Sequence, residues 1–342
     1  MKFIKDTIKE AFSSPSYWLD LFLIYTVTAI NLLLNMNIWS VLGTIILSAS
    51  IFSILTFRIL RKDHDIRRLH RKLKSWLKRA KKTADAGVVY DGIIDEILPA
   101  LRKNLPQTIY KYYWLDNNES LNEAKLDSLA EDMIWMAQPS HFNDPFEGNY
   151  MSLSPETLEK EGFPPQATQL WDQVIEKIRQ HITITCFTQN PNDMPMWAHY
   201  ANNHHGFCVA YQVNNPYLLY PVFYAKNRLE SLSLFINLIY ELFSKNTTEF
   251  KSFRHVIFLS AFKDASWESE HEVRAITLST ADEISDGGCL YSCEQLGLQP
   301  VKIYAGVLCA PQHVSILEKI VADKKIEYER CELSRTSFSV VK

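Results

Sequence analysis

Glu270, His271, Glu272 and Arg274 fall within the short stretch SWESEHEVRAI. Its alternation is that of a strand, which places Glu270, Glu272 and Arg274 on one face and His271 and Val273 on the other. Two carboxylates and a guanidinium on one strand face are an unusual grouping. The same residues would make a solvated ladder at a sheet edge. Further upstream, MPMWAHYANNHHGFCVAY sets Trp197 and Tyr200 three apart, on one face of a helical turn, with His199 beside them. Rings so placed can stack on a cationic or planar ligand, or can simply fill a core. A third cluster, SHFNDPFEG, puts Asn143 and Asp144 ahead of Pro145, a turn signature with Phe142 and Phe146 as apolar anchors.

The alternatives are thinned by what is missing. No GxGxxG, GxxxxGK[ST], HExxH or GxSxG occurs, which argues against the common nucleotide-binding and hydrolase folds. His199, His204, His205 and Cys208 are close in sequence, but their spacing suits no tetrahedral zinc set, and no metal is expected. His204 and His205 read as exposed loop residues. The six cysteines form no CxxC pair and are expected to be reduced and mostly packed.

These clusters need a scaffold, and residues 107–342 have the texture of one. TIYKYYWL, DMIWMA, HITITCF, GFCVAY, YPVFY, EVRAITL, VKIYAGVLC, KIEYERCEL and SFSVV read as strands. Helical periodicity appears over 119–131, 167–180, 229–243, 249–262 and 313–323. The mixed order predicts an α+β cytosolic domain with a mixed sheet.

The formal net charge of −3 hides an asymmetry. Between Arg58 and Lys82 stand twelve Lys or Arg against Asp63 and Asp65, so the rest of the chain is clearly acidic. Ahead of that run, Leu21 to Phe57 carries no charge, enough for two spans near the minimum of roughly 17 residues each. Asn31, Asn35 and Asn37 mark the turn, which predicts a transmembrane hairpin in residues 1–60 with spans near 18–34 and 38–60. Lys2, Lys5 and Lys9 on one side and the basic run on the other place both termini in the cytoplasm of a two-pass bacterial inner-membrane protein. Residues 61–106 are expected to form a basic amphipathic helix and stalk, with Ile66, Leu69, Leu73, Trp76 and Ala80 as the apolar stripe. Such a helix can lie on anionic headgroups of the lipid bilayer or pair with copies of itself as a homo-oligomer.

The clusters together resemble a known family. YKYY from Tyr110, FNDPFE from Phe142, CFTQN…MWAHYANNHHGFCVAY from Cys186 and K…WESEHEVR from Lys263 look like the bacterial domain of unknown function number 2971. The resemblance runs from about Thr108 to the C-terminus and leaves the hairpin and stalk as an added module. More distantly, the order of motifs is similar to that of ADP-ribosyltransferases. That similarity implies NAD as substrate, with Glu270 and Glu272 as an ExE pair and Tyr200 as the middle catalytic residue. It sets Lys111 where those enzymes carry His or Arg, flanked by Tyr110 and Tyr112. Asn143, Asp144, Trp197, His199, Trp267 and Arg274 are the remaining candidates for substrate binding. The resulting expectation is a membrane-anchored effector, in toxin action or antiviral defence, that consumes NAD or modifies a protein or nucleic-acid target. The alternative is a nucleotide- or partner-sensing domain without catalysis, whose output is membrane disruption by the hairpin.

Overall fold

The computed structural model describes residues 61–62, 64–80, 86–148, 151–152, 154–230, 232–243, 251–334 and 340–341, together with Ser50. Apart from Ser50, both expected membrane spans fall outside the described residues. Among the described residues, no helix is long and apolar enough to cross a membrane.

The chain divides into two compact units, residues 1–72 and 73–342. A helix over 64–80 (α1) carries the basic run. Within the second unit its Leu73 and Ala80 are buried, and Trp76 lies so close to Gly92 that any Cβ there would collide with the ring. Next come α2 (Ala86–Gly92), one π-helical turn (Ile93–Ile97) and α3 (Leu98–Arg102). These turns pack onto the domain. Arg102 Nε donates to Leu219 O at 2.8 Å, and its guanidinium lies 4.4 Å from the Tyr220 ring centroid. His255 Nε2 meets Asp91 Oδ1 at 3.0 Å. Ile93, Ile97 and Leu98 are fully buried, and each such side chain contributes roughly 1.5–3 kcal/mol.

The domain then runs β1 (Thr108–Tyr113), α4 (Glu119–Ala130), β2 (Met133–Ala137), β3 (Met151–Ser152), α5 (Pro155–Lys160), α6 (Gln166–Arg179), β4 (Ile182–Thr188) and α7 (Met194–Tyr200). It continues with β5 (Phe207–Val213), β6 (Leu219–Pro221), β7 (Phe223–Ala225), β8 (Leu229–Glu230), α8 (Leu232–Phe243), α9 (Lys251–Leu259) and β9 (Phe262–Asp264). After a 3₁₀ segment (Ala265–Glu270) it closes with β10 (Glu272–Leu278), β11 (Gly288–Ser292), β12 (Leu298–Ala305), α10 (Pro311–Lys324), β13 (Glu327–Arg330), β14 (Glu332–Leu333) and β15 (Val340–Val341). The α+β class with a mixed sheet is as expected: nine strands join one sheet, antiparallel except where β12 pairs with β13. Helix α6 shows why local pattern sufficed for many elements. Its Ala167, Trp171, Val174, Ile175 and Ile178 recur at helical spacing and are all buried. Strand β11 and helix α5 were not foreseen, and 229–243 splits into β8 and α8.

The path β11-β2-β4-β1-β5-β12-β13 contains the feature that makes the site. Strand β10 pairs with every residue of β4 along one edge. On the opposite edge β1 pairs with β4 only at Tyr110↔Thr188, and β2 only at Ala137↔Ile184. Cys186, midway between, has no cross-strand partner there. The sheet therefore forks at β4, with β1 leaving on one side and β2 on the other.

Side-chain parity assigns the two faces. Ile109, Phe187, Val209, Val273 and Ile303 belong to the larger core, together with Leu126 and Leu129 of α4 and Leu317 and Ile320 of α10. Tyr112, Cys208, Ala210 and Tyr304 form a smaller cluster with Trp197 of α7.

Candidate active site

A cavity of about 220 Å³ opens in the fork. Strand β1 contributes Tyr110, Lys111 and Tyr112 to its walls, β2 contributes Trp135, and β4 contributes residues 184–188. The 141–143 turn, α7 and the segment around β9 and β10 close it with Asn143, Tyr200, Lys263, Glu270 and Glu272.

Glu270 is the last residue of the 3₁₀ segment, which Asp264 caps by accepting from Ser266 N at 2.9 Å. His271 follows in the left-handed region at φ 47°, and that turn swings the chain into β10 at Glu272. The expectation that both acids project from one strand is thereby corrected. They meet because Lys263, on β9, reaches both: its Nζ lies 2.6 Å from Glu270 Oε2 and 3.0 Å from Glu272 Oε2. The Trp267 ring centroid lies 4.7 Å from the same ammonium, so Trp267 backs the cation from outside the cavity lining.

Behind Glu272 the charges continue to alternate. Arg274, fully buried, donates from Nε to Glu272 Oε1 at 2.8 Å and from Nη1 and Nη2 to the two Glu147 oxygens at 2.6 and 2.8 Å. Its Nη1 also donates to Ser260 O at 2.7 Å. A buried bidentate pair of this kind fixes both partners' geometry. The row reads Glu147, Arg274, Glu272, Lys263, Glu270, and each charge is countered by its neighbours. Burial alone would raise the Glu272 carboxyl, but Arg274 and Lys263 overcome it and hold the group down at about 2. For Lys263 burial lowers the ammonium, and Glu272, then Cys186 and Glu270, more than reverse that, so it stays charged.

Glu270 ends the row and faces the cavity. Tyr200 OH donates to its Oε1 at 2.6 Å, and Thr188 Oγ1 donates to its backbone carbonyl at 2.8 Å. Burial, and then Glu270 itself, push the Tyr200 hydroxyl well above the usual phenol range, so it remains a donor. Helix α7 aims that hydroxyl. Asp193 caps it by accepting from Met196 N, and Pro195 sits in its first turn, where a missing N–H costs nothing.

The expected candidates divide clearly. Glu270, Glu272, Tyr200, Tyr110, Lys111, Tyr112 and Asn143 line the cavity. Trp197 does not. It is fully buried, edge-on to Tyr112 at 5.0 Å and stacked on His204 at 5.7 Å, with Nε1 donating to Pro191 O at 2.9 Å. His199 is exposed. Asp144 is buried and shapes the clasp turn by accepting from Phe146 N at 2.9 Å. Arg274 lies behind the wall. None of the six cysteines is paired, and among the described residues no three of His, Cys, Asp or Glu converge as a metal site.

Sequence reading missed Lys263, Glu147 and Trp135 as contributors. Lys263 and Glu147 stand inside the K…WESEHEVR and FNDPFE motifs without an assigned role, and Glu147 could have been found by asking what balances a buried Arg274. At the mouth, Gly287 at φ +82° leaves no room for a Cβ against the His141 ring, so the turn before β11 packs on that imidazole.

Residues 196–275 match the family described as a protein of unknown function, DUF2971. That stretch carries Tyr200, Lys263, Glu270, Glu272 and Arg274. No curated protein and no solved structure matches the chain.

Proposed function

We propose that the cavity binds the nicotinamide–ribose end of NAD and that the protein breaks the bond between them, releasing nicotinamide and handing ADP-ribose to water or to a macromolecular acceptor. The observation that carries this reading is Glu270, a carboxylate fixed by Tyr200 and Lys263 yet facing an aromatic-walled cavity. Tyr110, Tyr112 and Tyr200 offer faces suited to a cationic pyridinium ring. When the C1′–N bond breaks, its electron pair goes to the ring nitrogen, and nicotinamide leaves uncharged. The positive charge stays on C1′ and the ribose oxygen. A carboxylate accepting from the ribose 2′-hydroxyl binds more tightly as that charge grows. The attacking water or hydroxyl then gives up its proton to solvent, which balances the reaction.

Glu272 suits this step less well. Arg274 reaches both of its oxygens and Lys263 one of them, and its side chain is 5 % exposed against 10 % for Glu270, so its part is to hold Lys263 in place. A volume of about 220 Å³ is below the 300–1,000 Å³ usual for drug-sized ligands, so the cavity suits one end of the dinucleotide rather than all of it.

Under the same proposal, the uncharged 21–57 stretch anchors the enzyme at the bacterial inner membrane as an effector in toxin action or defence. NAD labelled in its adenylate half, incubated with the full-length protein and cell lysate, tests the reaction type. Label appearing on protein or nucleic acid identifies a transferase, and free ADP-ribose identifies a glycohydrolase. Label that stays in NAD under every condition rejects both and leaves ligand sensing coupled to the hairpin.

A further inference from the structure

The cavity runs through the gap in the sheet, and its two faces are chemically different. Tyr110 is paired with Thr188, so by parity Tyr112, Cys186, Thr188 and Glu272 share one face. Lys111 and Thr185 then fall together on the other face. Both line the cavity. Thr185 is 2 % exposed, and its Oγ1 has no hydrogen-bond partner. The Lys111 ammonium makes no hydrogen bond or ion pair among the described residues; the Tyr113 ring, with its centroid 5.4 Å away, is its one close aromatic neighbour. Burial lowers this ammonium, and Cys186 and Glu272 work against that.

A buried hydroxyl without a partner is costly, and its placement in one cavity wall with a half-buried, unpaired cation is what an anion would relieve. We infer that Lys111 and Thr185 form an anion subsite at the floor of the fork, and that the ligand carries a phosphate there while its ribose meets Glu270. This rests on the NAD reading only in naming the ribose. The phosphate follows from a point-charge ammonium and a hydroxyl lining the same cavity, a donor pair suited to tetrahedral phosphate oxygens. The substrate class is thereby narrowed to ribosides phosphorylated on the sugar, as opposed to free nucleosides.

Calorimetric titration of the full-length protein with ribose 5-phosphate, inorganic pyrophosphate and unphosphorylated ribose tests this. The wild type should prefer ribose 5-phosphate to ribose by about tenfold or more, the scale of one charge-assisted contact. Lys111→Met and Thr185→Val should each remove most of that preference, while Lys111→Arg and Thr185→Ser keep it. Lys111→Met removes a half-buried, unpaired charge and should melt no lower than the wild type; should it fail to fold, Thr185→Val against Thr185→Ser decides alone. An equal preference in the Met and Val variants, or no preference in the wild type, overturns the inference. The two readings fail separately. Phosphate selectivity without nicotinamide release sinks the NAD reading and keeps the subsite. NAD turnover with KM unchanged in Lys111→Met does the reverse.

Discussion

Lys263 Nζ sits 2.6 Å from Glu270 and 3.0 Å from Glu272, and among the described residues it is the cation that holds the two acids at one site. Its side chain is 5 % exposed. Lys263→Met therefore leaves two buried carboxylates without their shared counter-charge, and removal of one partner from such a pair costs about 3–5 kcal/mol. Urea unfolding should show a lower midpoint by that amount at an unchanged m-value. A midpoint within error of the wild type would mean that the row of charges contributes nothing to the fold.

Glu272 makes stability depend on acid. Its folded-state pKa of about 2 lies below the ordinary value of 4.5, so the stabilisation is fully present above 4.5 and is lost as the pH falls toward 2. The displacement corresponds to about 3 kcal/mol. Wild-type stability should fall steeply across that window, and Glu272→Gln should start lower at neutral pH and fall less. Parallel pH profiles for the two proteins would contradict the coupling to Arg274 and Lys263.

Tyr200 is expected to act through Glu270. Tyr200→Phe removes the 2.6 Å hydrogen bond while keeping the ring, at a stability cost of about 1–2 kcal/mol. Turnover should drop roughly tenfold with KM little changed, as for a group that aims a carboxylate in the transition state. Because burial and Glu270 raise the Tyr200 hydroxyl, the wild-type rate should show no phenol titration up to pH 10. A rise in KM alone would reassign Tyr200 to ligand stacking.

Trp197, only three residues away, should behave differently. It is fully buried in the smaller cluster, so Trp197→Ala should cost about 3–5 kcal/mol by opening a cavity. Thermal unfolding should register that loss. Ligand affinity per folded molecule should be unchanged, and a specific loss of affinity would return Trp197 to the site.

Much of this was legible in the residues, and the exceptions have physical reasons. Alternation and helical periodicity gave most strands and helices, because each buries a face set by its own sequence. The pair Glu270 and Glu272 and the tyrosine at 200 stood out from type and spacing, and the YKYY strand from the family resemblance. Trp197 was misplaced because an i, i+3 relation says which residues share a face and nothing about which way that face turns. Lys263 and Glu147 were missed because their role comes from Arg274 and Glu272, far off in sequence. The fork itself depends on three strands competing for β4, which no local pattern encodes. The left-handed His271, which lifts Glu270 off the strand, is a conformation that histidine tolerates better than most residues but that the local sequence does not dictate.

The central claim is that Glu270 acts on NAD in the fork cavity, and single-turnover release of nicotinamide by full-length protein tests it most directly, with NAD binding followed in the same samples. The account predicts release by the wild type and a loss of about a hundredfold or more in Glu270→Gln with binding retained, the scale seen when one group that stabilises transition-state charge is removed. Release that is equally fast in Glu270→Gln, or NAD bound by both proteins and cleaved by neither, would contradict it.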